Sequence, residues 1–451
     1  MSETTASVYD RREAVCVIGA GACGLIAIKN LRENGFEVDC YERDTVVGGL
    51  WNAQNQRSPL YPNTHLATPR NLTEIPDFPM PDHWPDFPSA EQMETYLRDY
   101  AEHFDLTGHI WFGSQVMGIE KASGSRFDVL LKSTIPGQPE RRMRYGAVIL
   151  ATGHHRIPFL PEIPGQDSFP GEIVHSSRIG DPAKWKNKNV VIVGGGVSGT
   201  DIACLAAPLT RRCLHSTRRP YRYLPKYLNG RPAQIARLRA VRTPRWDRWG
   251  WLARRKHKRL IAPELKVARH LGAVPPQHPQ LLETIYNAHY LESVGEGAIE
   301  RRPDITAIEG NRVRFSDDDV IDADVIVCAT GFEAGLEPCP PELLGGDQPR
   351  LLANMFSPEA ETLAFLGAVE TDSALLPIAH WQSHVISHWL RVRQGEPDTA
   401  VAFRQAVVAE SGHQTESSQR TSQRHSLAVD GEKYLQSLGR IIAALEEENT
   451  A

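Results

Sequence analysis

The chain has 451 residues, 41% of them hydrophobic, with 50 Lys and Arg against 55 Asp and Glu and a net charge of −5. That length suits two or three domains, each with a real core. The near balance of charge gives no global pull towards nucleic acid or acidic membranes, and neither is expected as a partner.

The first residues, "MSETTASVYDRREA", lack the apolar core of a secretory signal. No later run reaches the ~20 apolar residues of a membrane helix, so no integral membrane anchor and a cytoplasmic location are expected. Seven cysteines (Cys16, Cys23, Cys40, Cys204, Cys213, Cys328 and Cys339) are scattered without a CxxC pair. That spacing predicts buried thiols, with no metal site and no dithiol redox centre.

In chain order, "EAVCVIGAGACGLIAIKNLRENGFEVDCYERD" comes first and reads strand, tight glycine turn, helix, strand. Ala14 to Ile18 has the continuous apolar run of a buried parallel strand. Gly19, Gly21 and Gly24 form a GxGxxG turn: one glycine for the bend, one for close approach of a pyrophosphate, one for helix–strand contact. The helix start offers unpaired N–H groups and a positive dipole end to phosphates. Glu42, at the tip of the second strand, is placed to accept hydrogen bonds from both ribose hydroxyls of an adenine nucleotide. "VVGGLW" follows directly, so Gly49, Leu50 and Trp51 are expected beside the ligand. A later strand, "YGAVILATG", ends in Ala151, Thr152 and Gly153, whose small size leaves room for a bound cofactor. These features predict an FAD site.

The second fingerprint, "KNVVIVGGGVSGTDIACLAA", sets Gly194, Gly196 and Gly199 in the same roles. Its second strand, "RRCLHSTRRP", ends in Ser216, Thr217, Arg218 and Arg219 instead of an acid. Hydroxyls and guanidinium groups accept a 2′-phosphate that a carboxylate would repel, so NADPH is expected here in preference to NADH. Residues 211–259 then interleave arginines with Tyr221, Tyr223, Trp246, Trp249 and Trp251. Without a nucleic-acid motif, this stretch reads as a solvated helix pair or a subunit contact, and pairing with a second copy is left open. "RVRFSDDDVIDADVIVCATGF" predicts a hairpin, then a buried strand ending in Ala329, Thr330 and Gly331.

Together these predict an α/β fold of two Rossmann-like domains, the NADPH domain inserted into the FAD domain. The expected divisions are 1–178 for the first part of the FAD domain, 179–331 for the NADPH domain, and 332–451 for the second part of the FAD domain with C-terminal helices.

Between the fingerprints lies "FPGEIVHSSRI". With two fingerprints in this order, the chain resembles the flavin-containing monooxygenase family, whose pattern is FxGxxxHxxx followed by Tyr or Phe. The related Baeyer–Villiger enzymes carry Trp at that last position. Phe169, Gly171 and His175 match, and Ile179 fits neither group. The resemblance extends through "YPNTHLATPRNLTEIPDFPMPDHWPDFPSAEQMETYL", "ATGHH", "HSTRR", "CATGF" and "LAFLGAVETDSALLPIAHWQSHVISHWL".

The resemblance implies that NADPH reduces FAD, dioxygen adds to give a flavin hydroperoxide, and a nucleophilic nitrogen or sulfur of a small molecule is oxygenated. It makes "FPGEIVHSSRI" a linker at the domain junction and His175, like His154 and His155, a structural residue. It also places Gln382 at the cofactor. The family's active-site asparagine falls at Ala67, which has no amide to donate, leaving Thr68 or Asn63 as the replacement donor in the catalytic pocket. The alternatives are a Baeyer–Villiger monooxygenase acting on a ketone and a non-redox binding protein of FAD-type fold.

Overall fold

The computed structural model describes residues 8–235, 249–272, 283–333, 335–346, 350–371, 373–395, 397–411 and 427–448. The chain divides into two units. The first comprises Met1–Ser58, Arg70–Ile157 and Glu333–Ala451, and the second Pro59–Pro69 and Pro158–Phe332.

The first unit is built on strands β1 (Val8–Ile18), β2 (Val38–Tyr41), β3 (Ile110–Trp111), β4 (Ser114–Ala122), β5 (Arg126–Ser133) and β6 (Arg141–Leu150), in the order β3-β2-β1-β6-β5-β4. Strands β3, β2, β1 and β6 run parallel, whereas β5 and β4 extend the sheet antiparallel. A short strand, Leu363–Phe365, returns from the far end of the chain to lie parallel to the end of β6. The apolar run from Ala14 to Ile18 is at most 4% exposed, as a strand flanked by parallel neighbours requires. Strand β1 starts earlier than the apolar run alone suggests. Past a register shift, Val8 to Arg11 pair with Arg142 to Tyr145 of β6. Helix α1 (Ala22–Glu33) buries Leu25, Ile26, Ile28 and Leu31 and stops at Asn34, before Gly35 turns the chain with φ +85°.

The second unit carries a five-stranded, wholly parallel sheet of β7 (Glu172–His175), β8 (Asn189–Val193), β9 (Arg212–Ser216), β10 (Glu300–Arg302) and β11 (Val325–Cys328), ordered β10-β9-β8-β11-β7. Helix α2 (Val197–Ala206) follows β8. The predicted hairpin is present as Arg312–Phe315 and Val320–Asp322, within a separate three-stranded antiparallel sheet.

Two expectations need correction here. The second unit begins at Pro158, not at 179, and it also takes Pro59–Pro69 out of the stretch assigned to the first. The reason lies in "FPGEIVHSSRI" itself. Residues Glu172 to His175 pair with Val325 to Cys328 as an edge strand, so the stretch read as a linker is part of a sheet. Ile179 is 1% exposed in the core formed with Trp185, Val190 and Ile202. The 211–259 stretch is not a uniform solvated face either: Tyr221 and Tyr223 are 9% and 1% exposed and belong to the same core. Trp246 lies outside the described residues. Among the described residues, no helix is long and apolar enough to cross a membrane.

Candidate functional site

In the first unit, the turn after β1 is shaped by what a Cβ would meet. Gly19 has φ +100°, and a Cβ there would lie 2.8 Å from the Ala151 carbonyl oxygen. At Gly24 a Cβ would stand 1.8 Å from the Gly19 oxygen, so no other residue fits without moving the turn. Thus Ala151 and Thr152, directly after β6, are the floor under the glycine turn, and Gly153 follows them. Gly49, φ +58°, forms a second wall: its Cβ would lie 2.9 Å from the Gly21 Cα. The wall is tied in place by the Gly48 N–H donating to Ala20 O at 3.0 Å, and Gly49–Trp51 continues as a 3-10 turn.

No side chain caps α1, whose N-cap is Gly21, so its first N–H groups are available to an anion. Glu42 is 6% exposed. Its carboxylate accepts the Ala20 N–H at 2.6 Å and the Asp44 N–H at 2.9 Å. Burial raises its pKa, while these two backbone donors pull it back towards the charged form. A carboxylate has acceptor sites to spare beyond two, which is what ribose hydroxyls need. A glycine-walled turn, an uncapped helix and a buried acceptor together fit an adenine dinucleotide such as FAD.

The second unit repeats the plan. Gly194 has φ +118°, with its Cβ direction 2.3 Å from the Ala329 oxygen, and a Gly199 Cβ would sit 1.8 Å from the Gly194 oxygen. Helix α2 again has a glycine N-cap, Gly196, without side-chain capping. Around Gly196 nothing lies within 4 Å of a Cβ. Arg218, at the end of β9, is exposed and has no hydrogen-bond or ion-pair partner among the described residues. Its neighbour Arg219 is occupied, donating to Tyr221 Oη at 3.0 Å and to Glu283 at 2.9 Å. Ser216 corrects an expectation. It is 1% exposed and its hydroxyl donates to Pro303 O at 2.7 Å, so it faces the interior and not a 2′-phosphate. Thr217 is half-buried with its N–H donated to Arg302 O.

Gln382 is also corrected. It is fully buried, accepting from the Gly367 N–H at 3.0 Å and donating to Tyr434 Oη at 2.8 Å. Its amide braces the scaffold. His175 is structural: Nε2 donates to Gly331 O at 2.9 Å and Nδ1 receives the Ser177 hydroxyl at 2.8 Å. His154 is half-buried in ring contact with His155. Asn63, Ala67 and Thr68 all fall in Pro59–Pro69. Asn63 is exposed with φ +62°, and Ala67 is exposed with its carbonyl accepting from Gln234 Nε2 at 3.1 Å.

One residue that sequence reasoning passed over is His215. It is wholly buried, donating from Nε2 to Gly194 O at 2.9 Å and accepting from Tyr290 Oη at 2.6 Å through Nδ1. Burial pushes its pKa down to about 4, so the ring is neutral and clamps the second glycine turn from below. Its place in "RRCLHS", a parallel strand buried on both faces, was the available signal.

With this geometry established, the comparisons with known proteins are informative. A model of the FMO-like family, described as flavin-binding monooxygenase-like, matches residues 12–447. Dimethylaniline monooxygenase (N-oxide-forming) 2 of Rattus norvegicus is 30% identical over 392 residues, covering 82% of this chain and 71% of that one. Flavin-containing monooxygenase 5 of Homo sapiens is 26% identical over 441 residues, covering 93% and 80%. Among solved structures, open cyclohexanone monooxygenase superposes with a TM-score of 0.69 at 18% identity, covering 96% of this chain and 98% of that one. The S-allyl-L-cysteine S-oxygenase of Allium sativum gives 0.65 at 19% identity, covering 98% and 89%. At such identities the structures speak for a shared fold.

Proposed function

Because the chain belongs to the flavin-binding monooxygenase-like family, we propose that it is an NADPH-dependent flavoprotein monooxygenase that oxygenates a nucleophilic nitrogen or sulfur of a small molecule. The observation that carries the reading is the opposite chemistry at the ends of β2 and β9. One ends in a buried carboxylate that suits unphosphorylated ribose, the other in a guanidinium without a partner among the described residues, which suits a 2′-phosphate.

FAD, when bound, supplies redox chemistry with dioxygen that no amino-acid side chain offers. The protein's part is to bind and to exclude. Gly19, Gly21, Gly24 and Gly49 admit the pyrophosphate, and Glu42 orients the ribose. Leu50 and Trp51 follow in the same wall, and Ala151, Thr152 and Gly153 close the floor. Gly194, Gly196 and Gly199 cradle the second dinucleotide, with Arg218 and Thr217 selecting its phosphate. Asn63, Ala67 and Thr68 are our candidates for the oxygenation pocket, where a dry, donor-lined environment decides between product and waste peroxide.

Support for nitrogen or sulfur as the target comes from the N-oxide-forming relative and the S-oxygenase that the chain is similar to. Ile179, a core residue here, offers nothing to a ketone-oxidising reading. The test is a screen of amines, thioethers and ketones against the flavin-loaded protein, measuring NADPH oxidised, hydrogen peroxide released and oxygenated product. Product from amines or thioethers in proportion to NADPH supports the proposal. Product from ketones alone would replace it with a Baeyer–Villiger activity. A protein that neither holds flavin nor oxidises NADPH would be a binding protein.

A further inference from the structure

Pro59–Pro69 is flanked in the chain by stretches of the first unit, yet it belongs to the second. Tyr61 is one of the residues that attach it there. The Tyr61 ring packs against the core that contains Ile202, Tyr223 and Tyr290, and its hydroxyl donates to Asp201 Oδ2 at 3.1 Å. The backbone of Tyr61 closes a turn with Thr64. Tyr61 N–H donates to Thr64 Oγ1 at 3.2 Å, and the Thr64 hydroxyl donates back to Tyr61 O at 2.6 Å. Residues 61–64 therefore move with the Tyr61 ring. Gln234 also holds the segment, donating to Ala67 O at 3.1 Å.

Asp201 lies two positions beyond Gly199, in α2, the helix whose first turn forms the second cradle. Its other oxygen, Oδ1, accepts from Asn287 Nδ2 at 2.6 Å. Asn287 cannot be turned round, because its own oxygen accepts the His289 and Tyr290 N–H groups at 2.9 Å each. Asp201 thus accepts from one donor whose orientation is fixed, Asn287, and from the Tyr61 hydroxyl, which can also accept. Burial works against its charge, while Lys226 and His65 favour it.

We propose that Asp201 is a positioning residue: by gripping Tyr61 it fixes the segment bearing Asn63, Ala67 and Thr68 to the helix that cradles the second dinucleotide. Its catalytic consequence rests on the monooxygenase reading; its structural consequence does not. An asparagine at 201 removes the charge yet can still reach the Tyr61 oxygen with its N–H, whereas Tyr61→Phe removes the hydroxyl and leaves the ring in the core.

The experiment is hydrogen–deuterium exchange on the full-length, flavin-loaded protein for Tyr61→Phe, Asp201→Asn, Asp201→Glu and the double variant. Exchange in residues 59–69 should rise about fivefold or more in Tyr61→Phe and by less in Asp201→Asn, as for a locally released segment. The double variant should add nothing further, and Asp201→Glu should recover part of the protection. Exchange in β8 should stay as in the parent. In the same samples, the share of NADPH appearing as hydrogen peroxide should rise. Unchanged exchange in Tyr61→Phe, additive effects in the double variant, or equal loosening of β8 would each overturn the proposal. A parent protein that oxidises NADPH without forming product would sink the monooxygenase reading and leave the exchange result standing.

Discussion

The two glycine turns share one backbone plan but differ in what surrounds them. Around the first, Gly21 and Gly49 press together, the Gly49 Cβ direction reaching within 2.9 Å of Gly21. The turn lies under a second layer of backbone, tied on by Gly48. Around the second, Gly196 has no atom within 4 Å of where a Cβ would be. A walled cradle suits a group that stays; an open one suits a group that comes and goes. On the proposed function, the same sequence signature serves a resident cofactor and an exchanging co-substrate, and the difference resides in neighbours far along the chain.

The sharpest way to break that comparison is a matched pair of substitutions. Gly21→Val pushes methyl groups into the gap towards Gly49, so the purified protein should lose its flavin altogether, read from its absorbance. Gly196→Val meets open space and should leave flavin content intact while weakening NADPH binding. Equal flavin loss in both would show that the walls do not distinguish the sites.

A second test concerns the clamp under the second turn. An unfolded histidine titrates near 6.5, whereas His215 is held at about 4, so the unfolded chain binds more protons between those values. Its contribution to stability is full above the unfolded value and is lost as pH falls towards the folded one. Over that window it amounts to about 3 kcal/mol. Urea unfolding followed from pH 7 to pH 4 should show this dependence, and His215→Gln should remove about one proton's worth of it. An unchanged slope in the variant would mean that the ring is not the neutral clamp described.

Arg218 gives a smaller and more selective effect. Arg218→Ala should weaken NADPH binding by roughly 1.5–3 kcal/mol, the worth of a charge-assisted hydrogen bond, with NADH nearly unaffected. Matched losses for both coenzymes, measured by titration, would assign the arginine a structural role.

How much of this was legible in the sequence follows from the range of the forces involved. The βαβ units are local: a buried run, glycines at fixed offsets and a strand-end acid or base lie within one stretch of chain, so both cradles could be read. Ser216 could not, because its hydroxyl is claimed by the carbonyl of Pro303, a residue far along the chain. Gln382 shows the same limit, its amide being claimed by Gly367 and Tyr434. The domain boundary at 178 failed because a short edge strand, Glu172–His175, owes its existence to pairing with Val325–Cys328. Nothing within the stretch itself distinguishes such a strand from a linker.

The smallest expected effect concerns Ala67, where the resemblance leads one to expect an asparagine. We propose that the methyl group trades a hydrogen-bond donor for space, so that a bulkier substrate is admitted at some loss of peroxide to solution. Ala67 is exposed, and among the described residues only its backbone carbonyl is engaged, by Gln234. An asparagine side chain can therefore be introduced without disturbing a packed core, and fold and cofactor affinities should hold. Restoring the amide supplies one donor where charge develops on oxygen, an interaction worth up to a few kcal/mol in a water-excluded site but much less in an open one. Ala67→Asn should accordingly lower the ratio of hydrogen peroxide released to NADPH oxidised, while slowing turnover of the larger substrates found in the screen. This outcome would extend the contrast between the two cradles to a third element: a segment that binds neither dinucleotide tightly yet decides how efficiently their reaction is used. If neither ratio nor turnover changes, position 67 lies outside the reacting pocket and the donor must be sought at Thr68 or Asn63.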